Sequence, residues 1–296
     1  MAKFTEETLA SWTRPPSDSE ETRLENAERM IRDALKGDPD LAKLQYEIFG
    51  QGSYANDTNV KTNSDIDINV RLLSTVRVDT PEGKTMEDYG YSPSDYTFNQ
   101  YRQNIYRALV SYFGQSEIID SNKCIKVKGN TYRIQADVVP TFRLDRYWAN
   151  GNTQYGSWFV SNDNNVHTNF ATQHIENGKQ KNGRTAKRFK RLCRIVKRIR
   201  YRMIEENVYV SPAITSFLIE CLLYNVPDNY FNQPSTWMER LRQAIIYIYQ
   251  QTEDPQKVNK WGEVSECMYL FRSTRKWSVT DVNQFMQDLW NYLQFG

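Results

Sequence analysis

The residues best equipped for chemistry begin at Gly50-Gln51-Gly52-Ser53-Tyr54, followed twelve positions after the serine by Asp65-Ile66-Asp67. Gly52 lets the backbone approach a ligand with no Cβ in the way, and Ser53 offers an amide and a hydroxyl to phosphate oxygens. In the run Asp65 to Val70 a strand would project Asp65 and Asp67 from one face and send Ile66, Ile68 and Val70 into a core. Paired hard oxygens suit Mg²⁺ or Mn²⁺, here two ions that would activate an attacking hydroxyl and neutralise a leaving pyrophosphate. A third carboxylate comes from Arg133-Ile134-Gln135-Ala136-Asp137-Val138-Val139-Pro140. Alternation puts Ile134, Ala136 and Val138 on the apolar side and Asp137 on the polar side. If this strand lies beside the first, Asp137 completes the cage and accepts the proton of the attacking hydroxyl. An isolated Asp-x-Asp is more often a solvated strand end; the preceding glycine-serine loop and the lone acid on a later strand weigh against that here.

Gly52-Ser53, Asp65-x-Asp67 and the later Asp137 resemble the signature of the polymerase-β-type nucleotidyltransferases. Along most of its length the chain is similar to the bacterial cGAS/DncV-like enzymes, the CD-NTases. The resemblance implies a cyclic di- or trinucleotide made from nucleoside triphosphates in bacterial anti-phage (CBASS) signalling, with a downstream effector that senses the product. It implies that Gln51, Gly52 and Ser53 hold the nucleotide, joined by a lysine on a basic helix and a serine about two turns beyond its end. Lys197 and Ser211 match those positions, with Lys190 as an alternative lysine. Where some relatives follow this serine with a base-stacking aromatic, this chain has Pro212. The terminal Gly296 resembles tails that a ubiquitin-transfer-like accessory protein conjugates. Relatives that sense double-stranded DNA carry a Cys/His zinc insertion; this sequence has none, so no DNA activator is expected. Two other classes share some of these features: a template-independent RNA-tailing or linear oligonucleotide synthase, and an inactive nucleic-acid-binding module.

The elements that must position these residues follow from periodicity. Ser17-Asp18-Ser19-Glu20 has capping-box spacing, and Leu24, Ala27, Ile31, Ala34 and Leu35 recur at helical intervals before Gly37 and Asp38-Pro39 close the helix. Residues 45 to 49 read as the strand that delivers the phosphate loop. Residues 74 to 93 lack a period and read as a loop, 94 to 112 as a helix ended by Gly114, and 123 to 139 as a hairpin about Gly129-Asn130. Residues 143 to 183 are polar and aromatic without helical period, a rim over the cleft or a loop packed on the core. Within them Thr168 to Gly178 is similar to segments of bacterial relatives, with no chemistry assigned, and His167 and His174 read as solvated or core-bonded.

Arg184 to Arg202 holds ten basic residues among nineteen and no acid. Phe189, Leu192, Cys193, Val196, Ile199 and Met203 form one helical arc, with Lys187, Arg191, Arg194 and Arg198 opposite and Lys190 and Lys197 on a border. Ser211-Pro212 has the form of a helix start, and helical patterns cover 213 to 224, 237 to 250, 264 to 271 and 281 to 293. The expected fold is therefore α+β: a polymerase-β-like core of mixed sheet and helices over residues 1–165, with a bridging N-terminal helix, packed on an all-helical lobe over 166–296 with the site between them. Of 296 residues 39% are hydrophobic, enough for a packed core, and a net charge of +2 makes no general case for nucleic acid. Cys124, Cys193, Cys221 and Cys267 match no zinc spacing and read as reduced, buried thiols. The N-terminus lacks a cleavable signal pattern, and the most apolar stretch, 217 to 224, is too short for a membrane span and contains Glu220. A cytoplasmic protein is expected.

Overall fold

The computed structural model describes residues 2–15, 18–60 and 65–295. In chain order its elements are α1 (Glu6–Ser11), α2 (Asp18–Lys36), β1 (Tyr46–Gln51), α3 (Gly52–Ala55), β2 (Ile66–Asp79), α4 (Phe98–Phe113), β3 (Ile118–Asp120), β4 (Ile125–Val127), β5 (Ala136–Tyr147), β6 (Thr153–Val160), β7 (Val166–Asn169), α5 (Ala171–Arg184), α6 (Arg188–Glu205), α7 (Ser216–Tyr224), α8 (Asn229–Asn232), α9 (Trp237–Thr252) and α10 (Val279–Tyr292). They divide into a sheet unit, Pro16–Ala55 with Lys61–Ala171, and a helical unit, Met1–Pro15 with Asn56–Val60 and Thr172–Gly296. This differs from a single break at residue 165. Leu9 of α1 is fully buried in the helical unit's core, and β7 continues the sheet to Asn169.

In the sheet unit the strand order is β1-β2-β5-β4-β3, with β6 paired to β5 and β7 to β6. Among the described residues β2 and β5 are the one parallel pair; β1, β4 and β6 are antiparallel to their neighbours. From β2 the alternate residues Ile66, Ile68, Val70 and Leu72 enter the core, as the spacing predicts, against Ala27, Ile31 and Leu35 of α2 and Tyr101, Ile105 and Leu109 of α4. Each such side chain stabilises the fold by about 1.5–3 kcal/mol when fully buried. Thr97 caps α4 in a reciprocal capping box with Gln100. The capping box expected at Ser17 lies outside the described residues.

Several expectations are corrected. Much of the loop expected from 74 belongs to β2, which continues to Asp79 after a register shift between Leu72 and Val76. The hairpin has no two-residue turn at Gly129-Asn130, because its ladder opens only at Val127 and Ala136. The intervening chain turns on Asn130, whose Oδ1 accepts from the amides of Tyr132 and Arg133. Residues 143 to 183 are not an irregular rim; they form the end of β5, the β6–β7 hairpin and α5. Central placement hides the alternation in β5, whose Val138, Val139, Thr141 and Phe142 are all buried.

The helical unit packs α6, α7, α9 and α10 around Leu192, Ile195, Ile199, Leu218, Leu222, Ile245, Phe285 and Leu289. Three of its helices, α7, α9 and α10, start on hydroxyl caps, Thr215, Thr236 and Ser278. Thr215 therefore does what Ser211 was expected to do, since α7 begins four residues after Pro212. Residues 264 to 271 form turns about a Gly262–Tyr269 bridge instead of a helix. Lys187 precedes α6 with φ 62°, and Arg194, placed by the helical projection on the solvent face, is buried. The four cysteines are buried thiols, as expected. Among the described residues no helix is long and apolar enough to cross a membrane.

Candidate active site

Strand pairing lines up four polar residues across the sheet. Gln51 of β1 pairs with Asp67 of β2, Asp67 with Asp137 of β5, and Asp137 with Lys126 of β4. The two aspartates, seventy positions apart in sequence, are thus neighbours on adjacent parallel strands. The sequence-based expectation that Asp137 lies beside the Asp-x-Asp strand matches this arrangement. Asp65, one residue before β2, is exposed, and its charge acts on Asp67.

Gly52 closes over this row. Its φ is +70°, and a Cβ built there would stand 2.1 Å from Asp67 Oδ2. No other residue type fits that approach without moving the carboxylate. Ser53 follows directly, partly exposed in α3. Gln51 is held from below: its Oε1 accepts from Asn69 Nδ2 at 3.1 Å and Asn169 Nδ2 at 3.3 Å, while Thr141 Oγ1 donates to Asn69 Oδ1 at 2.7 Å. Asn69 and Thr141 are completely buried, so this network fixes the end of β1 from which the glycine turn departs.

The electrostatics are those of crowded acids. Burial, then the charges of Asp137 and Asp65, push the Asp67 carboxyl up to about 7, with Lys126 opposing them. Asp137 Oδ1 is buried without a hydrogen bond; its near cation is the Lys126 ammonium at 3.5 Å. Burial would lower the Lys126 pKa, but Asp137 and its neighbours outweigh it and raise it. The Cys124 thiol is pushed up to about 12, by burial first and then by Asp137. It remains a neutral group against the carboxylate.

A hydrogen-bond-free carboxylate oxygen beside an acid that resists ionisation is a site short of positive charge, and oxygen donors fit a hard divalent cation. Asp67 and Asp137 are the pair placed to hold one. Among the described residues no three His, Cys, Asp or Glu side chains converge on a single ion position as they stand. Asp65 would have to turn inward to make a third ligand.

The remaining predicted contacts lie in the helical unit. Lys197, expected to reach a triphosphate, is 1% exposed, and its ammonium donates to Thr58 O at 3.1 Å, to Thr58 Oγ1 at 2.9 Å and to Glu220. Its three donors are spent. Lys190 is also buried, with its pKa lowered by that burial against the charges of Asp57 and Glu220. Ser211 Oγ donates to Asp281 Oδ1 at 3.1 Å and accepts from the Ala213 amide. His174 is core-bonded, Nε2 lying 3.2 Å from Glu220 Oε2, and His167 Nε2 meets Ser161 Oγ at 2.9 Å.

Sequence reasoning missed Lys126, Asn69, Thr141 and Asn169. Alternation in Cys124-Ile125-Lys126-Val127 does place Lys126 opposite two core residues. Which strand it would lie beside is not a local property.

Comparison with known proteins follows the same outline. Residues 8–174 match the Second Messenger Oligonucleotide or Dinucleotide Synthetase domain, and residues 176–294 the cGAS/DncV-like nucleotidyltransferase C-terminal helical domain. The chain is 50% identical over 295 residues, all of both chains, to a cyclic dipyrimidine nucleotide synthase CdnE of Cecembia lonarensis. It is 36% identical, over 99% of both chains, to a cyclic dipurine nucleotide synthase of Elizabethkingia meningoseptica. The structure of an Elizabethkingia meningoseptica CdnE cyclic dinucleotide synthase with GTP and Apcpp superposes with a TM-score of 0.84 at 35% identity, over 98% of this chain and 99% of that one.

Proposed function

This chain belongs to the bacterial cGAS/DncV-like nucleotidyltransferases, the CD-NTases, and from that membership we propose that it joins two pyrimidine nucleoside triphosphates into a cyclic dinucleotide with the help of divalent metal. Nucleotidyl transfer of the cyclic oligonucleotide synthase type is the family's activity. The reading rests most on one observation, the in-register pairing of Asp67 with Asp137 beneath Gly52. The preference for pyrimidines is supported by the full-length relative at 50% identity, named for dipyrimidine products, against 36% for the dipurine synthase.

In this reading Asp67 and Asp137, with Asp65 turned inward, hold two Mg²⁺ or Mn²⁺ ions. When bound, the metal supplies charge neutralisation at the reacting phosphate and lowers the pKa of the attacking hydroxyl. Gly52 leaves the backbone bare where the triphosphate of one nucleotide approaches, and the amide and hydroxyl of Ser53 donate to its oxygens. Asp137 accepts the proton of the second nucleotide's hydroxyl as that oxygen attacks the α-phosphorus, and pyrophosphate departs. A second transfer on the linear intermediate closes the ring. The Asn69–Thr141–Asn169 network keeps Gln51 and the turn after it in place, so that catalysis is chiefly positioning and electrostatics. The assignment of Lys197, with Lys190 as the alternative, and Ser211 to the triphosphate, implied by the family resemblance, stays part of the proposal; within the protein these side chains make their bonds inside the helical unit.

A role in CBASS signalling, with an effector that senses the product and an accessory protein that acts at the C-terminus, belongs to the same proposal. Gly296 lies outside the described residues. The nucleic-acid-binding alternative loses support, because Lys190, Arg194 and Lys197 of the basic helix are buried. The test is incubation of purified protein with each NTP and Mg²⁺ or Mn²⁺, then phosphatase treatment and mass spectrometry. A phosphatase-resistant product containing two pyrimidines is expected. Phosphatase-sensitive linear products, or none, would refute the proposal.

A further inference from the structure

The acidic row ends on a cation. Lys126 stands directly opposite Asp137 on β4, and its ammonium lies 3.5 Å from Asp137 Oδ1, the carboxylate oxygen that is buried without a hydrogen bond. Its charge also opposes those of Asp137 and Asp65 at Asp67. The base of the side chain is fixed, because Ile125 and Val127 on either side are buried and β4 is paired with β3 on one edge and with β5 on the other. The head is freer: the side chain is 31% exposed, and it meets Asp137 at a distance too long for a firm hydrogen bond.

A loose, partly exposed ion pair contributes little to stability, so the fold gains little from this one. What the ammonium does is fill a ligand position. Asp137 Oδ1 is an oxygen free to serve a divalent ion, and an ammonium and such an ion cannot both lean on it, since like charges a few ångström apart repel. The ammonium has to leave before an ion binds there. In the nucleotide-free protein Asp137 is the acid that holds it; a triphosphate carries more charge and stronger acceptors for a point charge on a flexible stem. We propose that Lys126 occupies the metal-binding oxygen of Asp137 in the nucleotide-free enzyme and moves to the phosphate oxygens of the entering nucleotide, so that divalent metal loads together with substrate instead of ahead of it. This rests on the reading that Asp67 and Asp137 hold the metal. It gives the lysine at the end of the row a part in the reaction that a bystander to the acids would not have.

The test compares the full chain with Lys126→Met, Lys126→Arg and Asp137→Asn at pH 8, above the value of about 7 at which the Asp67 carboxyl stands. Mn²⁺ binding without nucleotide is read by electron paramagnetic resonance, and KM and kcat for NTP are read at saturating Mn²⁺. Lys126→Met should bind Mn²⁺ about tenfold more tightly than wild type or better, because no ammonium has to leave. Its kcat/KM should fall by about tenfold to a hundredfold, the size expected for a lost charged contact with phosphate. Lys126→Arg keeps the charge and should bind Mn²⁺ as wild type does, and the ion that Asp137→Asn no longer binds is the one at Asp137. A general loosening of the fold would weaken Mn²⁺ binding and turnover together, so tighter binding with poorer turnover is an outcome no purely structural role produces. If Lys126→Met does not fold, Lys126→Gln, neutral and polar, decides in its place. Mn²⁺ affinity unchanged or weaker in the neutral variant overturns the proposal. Tighter Mn²⁺ binding with wild-type kcat/KM overturns it equally, since the ammonium would then compete with metal without ever meeting phosphate. Wild-type protein whose Mn²⁺ binding and turnover are indifferent to Asp137→Asn would sink the reading of the metal site itself, a different result from a working site with an idle Lys126.

Discussion

Asp67→Asn should stabilise the metal-free protein above pH 7 while it abolishes product. The Asp67 carboxyl stands at about 7 instead of the ordinary 3.8, through burial first and then repulsion from Asp137 and Asp65. At 1.36 kcal/mol per pH unit, the folded state disfavours the ionised form by roughly 4 kcal/mol. Water entry and side-chain relaxation lessen that penalty, and the neutral amide should recover about half of it, roughly 2 kcal/mol. The sign with pH follows from linkage. Below 3.8 the carboxyl is protonated in both states and the variant gains nothing. Between 3.8 and 7 the unfolded chain releases the proton and the folded chain keeps it, so the wild type loses stability as pH rises through this window; above 7 the gap is constant. The assay is thermal unfolding followed by circular dichroism in EDTA at pH 4, 6 and 8, with an expected gain of about 4–8 °C for the variant at pH 8 that shrinks to about 1 °C at pH 4. Adding Mg²⁺ or Mn²⁺ should close the gap by stabilising the wild type selectively. An asparagine variant no more stable than wild type at pH 8, or an advantage independent of pH, would refute the argument that these acids crowd one another.

Three further outcomes follow from the same geometry. Gly52→Ala forces a Cβ to 2.1 Å from Asp67 Oδ2 at a φ of +70°; we expect product formation to fall below detection and a stability loss of about 1–3 kcal/mol by chemical denaturation. Glu220→Gln leaves the Lys197 charge uncompensated in the helical core and should cost about 3–5 kcal/mol, read from a urea titration at pH 7. Burial alone would raise the Glu220 carboxyl, but Lys197 and His174 hold it down at about 2, so the stability it contributes is complete above 4.5 and is lost as pH falls through 2. Asp65→Asn with Asp67→Asn, and separately Asp137→Asn, should each leave a folded protein that makes no product by mass spectrometry; full activity in either would refute the assigned chemistry.

Local rules made much of the catalytic half legible. Period-two alternation placed Asp65, Asp67 and Asp137 on the polar faces of two strands, and the glycine before Ser53 marked a close approach that the structure shows to be made against Asp67 itself. The same rules failed where burial on both faces hides the period, as in β5, and where a strand follows an irregular register, as in β2 beyond Leu72. They failed on α6 for a different reason. A helical projection sorts residues into faces, but Lys197 and Arg194 each found acceptors on a segment more than 130 residues away, and a charge can be buried where such partners offset its desolvation.

The order of residue types along the chain was enough to determine the chemistry this protein is equipped for, because spacing along a strand decides which way a side chain points whatever else the fold does. Only the tertiary structure decided which groups share that chemistry. The alignment of Gln51, Asp67, Asp137 and Lys126 in one row, and the burial of Lys197 against Glu220, depend on pairing between distant segments. Such pairing is selected by the total surface buried and charge matched across the whole molecule, a quantity that no local window of sequence contains.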